Sequence, residues 1–135
     1  MSTEIHLNPR LVIERLQRAM NERSIDAFVE CFDPLYHTEQ PLHPDKGYRG
    51  REKVRKEWSE TFRRLPDFHA KLIRTAVDHD IVWVEWHWTG TQRDKGRVEM
   101  LGVTIFGVRE NRITWARAYM EPMQKPGAGI EAVAG

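Results

Sequence analysis

Residues 81–92 read Ile-Val-Trp-Val-Glu-Trp-His-Trp-Thr-Gly-Thr-Gln. Side chains on a strand alternate between two faces, so Val82, Val84, Trp86 and Trp88 share one side and Trp83, Glu85, His87 and Thr89 the other. The first set is large and apolar, whereas the second mixes an aromatic ring with charged and polar groups. A strand patterned this way belongs to a sheet with both faces occupied, one against helices and the other against a second subunit.

Outward from this stretch the period of two persists. Residues 68–77, 98–109 and 113–120 are rich in Val, Ile, Trp, Phe and Thr, and the separators Asp78-His79-Asp80, 93–96 and Glu110-Asn111-Arg112 have hairpin length. The pattern predicts a meander of four long antiparallel strands. Before residue 68 the period is helical. Asn8 can cap a helix with Pro9 at its first position, and Val12, Leu16, Ala19 and Met20 recur on one face through residue 22. Ser24 caps a shorter helix with Ile25, Phe28, Val29 and Phe32 on its inner face and Asp33-Pro34 as its stop. Residues 35–41 read as a short strand, after which Pro41, Pro44, Asp45 and Gly47 impose turns. A third helix follows Gly50, with Val54, Trp58, Phe62 and Leu65 as its apolar stripe and Pro66 as its end.

The chain has 135 residues, enough for one domain with a real core and no crosslinks. Its 21 Lys+Arg against 20 Asp+Glu leave a net charge of +1, which offers no strong field for nucleic acid or an anionic membrane. The single cysteine, Cys31, sits among Phe28, Val29 and Phe32 and reads as a small buried side chain. No stretch approaches the roughly 18 apolar residues of a membrane span, so a cytoplasmic protein is expected. Phosphate-binding glycine runs, a Gly-x-Ser-x-Gly elbow and Cys-x-x-Cys pairs are missing from the sequence; neither an organic cofactor nor a metal is expected. The domain is expected over residues 1–123. A mobile tail rich in Lys, Pro, Gly and Ala is expected over 124–135.

The order helix, helix, short strand, turn-rich loop, helix, four strands resembles the nuclear transport factor 2-like fold, and in particular its SnoaL-like and ketosteroid isomerase-like group. Residues 21–32 resemble the family's second helix, Glu39-Gln40-Pro41 its acidic-then-proline strand, Tyr48-Arg49-Gly50-Arg51 the approach to its third helix, Trp88-Thr89-Gly90-Thr91 the end of a central strand, and residues 113–119 the terminal strand. The resemblance implies an α+β cone, with three N-terminal helices packed on a strongly curved antiparallel sheet around one pocket, and homodimers through the outer sheet face.

It also implies where catalytic groups should stand. A ketosteroid isomerase uses a tyrosine, an aspartate base and a protonated aspartic acid, and the resemblance puts Leu16, Gln40 and Thr104 at those positions. The aspartate that precedes the last-strand tyrosine in SnoaL-type cyclases and epoxide hydrolases corresponds to Ala118. Leu16 and Ala118 carry no polar side chain, and Gln40 cannot take up a proton at neutral pH. A one-residue slip in the first strand would put Glu39 in place of Gln40. The expected pocket walls are Tyr36, Gln40, Trp58, Trp86, Trp88, Met100, Thr104, Ala118 and Met120, with Gly102 and Ala116 leaving room. Glu39, with His43 or His37 sharing its proton, is the candidate acid–base pair. The leading expectation is a cofactor-free isomerase, cyclase or hydratase acting on a small apolar metabolite. The alternative is a noncatalytic binding or dimerisation module. Glu85 and His87 share the face away from the pocket and are assigned to structure or an interface.

Overall fold

The computed structural model describes residues 8–124. Helix α1 (Pro9–Glu22) is followed by α2 (Ile25–Glu30), β1 (Phe32–Glu39), a single 3-10 turn (Pro44–Lys46), β2 (Tyr48–Arg49), α3 (Arg51–Arg64), β3 (His69–Asp78), β4 (Ile81–Gln92), β5 (Gly96–Arg109) and β6 (Arg112–Pro122). The expected tail lies almost entirely outside the described residues. Among the described residues no helix is long and apolar enough to cross a membrane.

The helix caps follow the local chemistry. Asn8 accepts the Arg10 amide with its side chain and Ser24 accepts that of Ala27, each satisfying a donor that the first helical turn leaves free. Arg23 closes α1 in the left-handed region, at φ 51°. At the β5–β6 hairpin, Glu110 and Asn111 both take positive φ, the twist that lets a two-residue turn match the strands on either side.

The strands form one six-stranded sheet in the order β2-β1-β6-β5-β4-β3. The meander β3 to β6 is antiparallel, and β1 joins it by parallel pairing with β6. The first strand starts earlier than the sequence suggests, because α2 ends at Glu30 and Phe32 already pairs with Ile113. Asp33-Pro34 therefore lies inside β1 instead of stopping the helix. Proline cannot donate to a ladder. The register shifts between Phe32 and His37, and the Asp33 carboxylate accepts the Leu35 amide within that irregularity.

The three helices cover the inner face of the sheet. Val12, Ile13, Leu16, Ala19 and Met20 of α1 are all buried there, a stripe that sequestration from water stabilises by about 1.5–3 kcal/mol per large side chain. Asn21 fixes the helix on the sheet edge: its side-chain amide donates to the Ala70 carbonyl at 3.1 Å and its oxygen accepts the Ala70 amide at 2.7 Å. The Arg51 guanidinium ties the start of α3 to β1 through the Phe32 carbonyl at 2.7 Å. Aromatic rings fill the seam between α2, α3 and β4, with Phe28 and Trp58 at 4.6 Å and Trp58 and Trp88 edge-on at 5.5 Å. The sheet curls without closing, so its concave side and the helices enclose a hollow.

Candidate functional site

The hollow is a cavity of about 160 Å³, and the sheet register builds its floor. Trp86 on β4 stands opposite Gly102 on β5, which stands opposite Met120 on β6. A Cβ at Gly102 would lie 2.0 Å from the Tyr119 carbonyl oxygen, so only glycine lets β5 and β6 approach this closely between the two large side chains. In the next rows Thr104 faces Ala118, and Phe106 faces Ala116. The short side chains on β6 leave the space that the bulky residues of β4 border. Toward the open end Trp88 pairs with Met100.

The walls come from the other elements. Tyr36, Thr38 and Gln40 alternate along and just beyond β1 and point inward, Tyr48 enters from β2, and Leu16, Met20, Phe28 and Trp58 close the side formed by the helices. Every side chain expected as a pocket wall lines this cavity: Tyr36, Gln40, Trp58, Trp86, Trp88, Met100, Thr104, Ala118 and Met120. So does each position at which the resemblance expects a catalytic group, namely Leu16, Gln40, Thr104 and Ala118. Tyr48 entered the sequence reading as part of the approach to the third helix and not as a pocket wall. It is an aromatic residue between Gly47 and Gly50, on a strand of two residues too short to show a period.

The expected acid–base pair does not assemble, and the reason is the phase of β1. Tyr36 is buried and points inward, so alternation turns His37 and Glu39 to the outer face of the sheet. Glu39 is exposed there and accepts from the Arg117 guanidinium at 3.3 Å. His43 belongs to a different pair: its Nε2 lies 2.7 Å from a carboxylate oxygen of Glu121, both side chains being more than two-fifths exposed. Neither lines the cavity. On the outer face Glu85 pairs with Arg74 at 3.0 Å, and His87 stands 3.4 Å from Glu99. Among the described residues no three His, Cys, Asp or Glu side chains gather closely enough to hold a metal ion.

The cavity is thus lined by neutral groups. Its polar atoms belong to Tyr36, Tyr48, Thr38, Thr104, Gln40 and the indoles of Trp58, Trp86 and Trp88. Burial pushes the Tyr36 phenol well above its ordinary range, the nearby Tyr48 adds to this, and the Thr38 hydroxyl opposes it. Burial, then the Glu57 carboxylate, pushes Tyr48 up to about 12, opposed by the Trp58 indole. Both phenols therefore stay protonated at any physiological pH and can donate. Among the described residues the buried indole N–H groups of Trp86 and Trp88 have no acceptor, a costly condition for a desolvated donor unless something else accepts the bond.

Gln40, Tyr48, Trp58, Trp88 and Met100 border both this cavity and a wider cleft of about 690 Å³, so the one opens into the other. The cleft runs between α3, the loop before β2 and the end of β4. Its charged groups are Asp45, Lys46, Lys53, Glu57 and Arg64.

The sequence matches the profile of the SnoaL-like domain over residues 13–116, and the chain belongs to that family. A sequence search of curated proteins finds no match. Solved structures of the same fold include an LEH-like epoxide hydrolase of M. tuberculosis, 19% identical with a TM-score of 0.72 over 84% of this chain and 82% of that one. A protein with a ketosteroid isomerase-like fold from Catenulispora acidiphila DSM 44928, in complex with trimethylamine, is 17% identical with a TM-score of 0.68 over 80% and 83%. A SnoaL-like protein from Burkholderia thailandensis e264 is 23% identical with a TM-score of 0.69 over 84% and 94%. At these identities the likeness shows the fold, an α+β nuclear transport factor 2-like cone.

Proposed function

We propose that this protein binds a small apolar molecule bearing an oxygen acceptor, and holds it without transferring a proton. The observation that carries the reading is the composition of the cavity wall. It has hydrogen-bonding side chains, Tyr36, Tyr48, Thr38, Thr104 and Gln40, and among the described residues that line it there is no carboxylate, imidazole or amine. General acid–base catalysis needs a group whose pKa lies near the working pH, and Tyr36 and Tyr48 are shifted away from it. Glu39, the expected acid–base residue, faces the other way. Size narrows the ligand further. A cavity of about 150 Å³ holds one benzene, so this one takes a single ring and any larger body extends into the cleft.

The test is a fluorescence titration that uses the cavity tryptophans as reporters, with tetralone and its hydrocarbon counterpart tetralin as probes. A net hydrogen bond to the ketone makes tetralone the tighter ligand by about two- to twelvefold. Exchange of the ketone's α-protons with deuterated solvent, followed by NMR, should run at the buffer rate. Acceleration by the protein, lost in Gln40→Ala or Thr104→Val, would overturn the binding reading in favour of catalysis.

The outer sheet face supports a second element of the proposal, a homodimer. Trp83 is 47% and Leu101 38% exposed on that face, and Trp83 stands beside Ile105 on β5. Apolar side chains flanked by the Glu39–Arg117 and Arg74–Glu85 pairs are the apolar centre and polar rim of a subunit contact.

A further inference from the structure

The cleft outside the cavity differs from it in kind, and the difference specifies the far end of the ligand. Lys53 is committed to Glu57, at 3.3 Å on the same helix face. Among the described residues Lys46 and Arg64 have no carboxylate partner, although both border the cleft. The adjoining groove shares Arg64 and Gln92 with the cleft and adds Arg93 and Lys95 against Asp94, while Arg63 is held by Glu60 on the same helix. The last turn of α3 and the β4–β5 hairpin thus bring an excess of positive charge to one end of an opening whose other end is apolar. Part of this excess has a structural role, since cations in the last turn complement the helix dipole. Lys46 ends the short 3-10 turn before β2, beside Asp45 in the same cleft.

Building on the binding reading, we propose that the ligand is an amphiphilic carboxylate. Its ring and oxygen acceptor occupy the cavity beside Trp86 and Trp88, and a short chain carries its carboxylate along the cleft to Arg64 and Lys46. Single-ring volume inside and about four times that volume outside fit a molecule with a compact head and an extended, charged tail. Both cations are exposed, so each contributes modestly and the pair gives about a fivefold preference for the anion.

The experiment compares γ-benzoylbutyrate with its methyl ester, which share ring, ketone and chain and differ in charge. Wild-type protein at low ionic strength should bind the acid about fivefold tighter than the ester. The preference should fade in half-molar sodium chloride, since salt screens exposed charges, and should vanish in the double variant Arg64→Gln/Lys46→Gln. Equal binding of acid and ester by the wild type overturns this proposal and leaves the binding reading intact. A preference that survives the double substitution overturns the assignment to these cations. If neither compound binds, the binding reading falls and this proposal with it. A melting curve of the double variant confirms that the fold is unchanged.

Discussion

Replacing Trp86 with phenylalanine separates the packing of the cavity wall from its recognition of a ligand. Trp86 is 0% exposed and its N–H has no acceptor among the described residues. Phenylalanine keeps one ring and removes the pyrrole half. The missing volume, roughly 40 Å³ at ~24 cal/mol per Å³, costs about 1 kcal/mol. Removing an unpaired buried donor returns about 1–3 kcal/mol. Trp86→Phe should therefore leave the unliganded protein between unchanged and about 2 kcal/mol more stable, an upward shift in Tm of roughly 0–8 °C for a domain of this size. Tetralone affinity should drop by about two- to twelvefold, the net worth of one hydrogen bond, while tetralin affinity changes little. Calorimetry reads the first effect, and fluorescence titration reads the second with Trp58 and Trp88 still in place. A variant destabilised by more than about 2 kcal/mol, with tetralone affinity intact, would refute the reasoning, because the N–H would then be satisfied and uninvolved in recognition.

Three further outcomes follow from the geometry. Glu39→Gln removes one partner of an exposed pair on the outer face, so titration should find ligand affinity unchanged and melting should find a loss below about 1 kcal/mol. Alkaline stability should depend on the two phenols: folding raises the pKa of Tyr36 and Tyr48 above the ordinary value of 10, so the folded state favours the protonated form. Their contribution is complete below pH 10 and is lost as pH rises through about 12 for Tyr48 and higher for Tyr36. Melting curves between pH 8 and 12 should fall less steeply in Tyr48→Phe, and an unaltered slope would count against the burial of that hydroxyl. Trp83→Asp should convert a dimer to a monomer in sedimentation experiments without loss of tetralone binding, whereas an unchanged sedimentation coefficient would remove the outer face from the interface.

The alternation in residues 81–92 was sufficient to put Trp86 and Trp88 on one face and Glu85 and His87 on the other, because strand geometry fixes the relative direction of neighbouring side chains whatever the strand pairs with. The helical stripe of Val12, Leu16, Ala19 and Met20 was legible for the same reason. Pocket walls on the long strands followed from these patterns and from the resemblance. The strand bearing Glu39 and Gln40 was different. Residues 37–40 are all polar, so nothing in their own pattern says which of them faces inward. Only the buried Tyr36, the irregularity at Asp33-Pro34 and the parallel pairing with β6 set that phase. A shift of one residue exchanges the faces, which decides whether the cavity holds a carboxylate or an amide. The pairing of His43 with Glu121, 78 residues apart, and the arrival of Tyr48 from a two-residue strand likewise depend on how the loop after β1 folds across the sheet. The sequence by itself determined the order of the main elements and the face of each long strand, since both rest on local periodicity. The tertiary structure alone decided the cavity's charge and size, since these depend on long-range register and on which side chains meet.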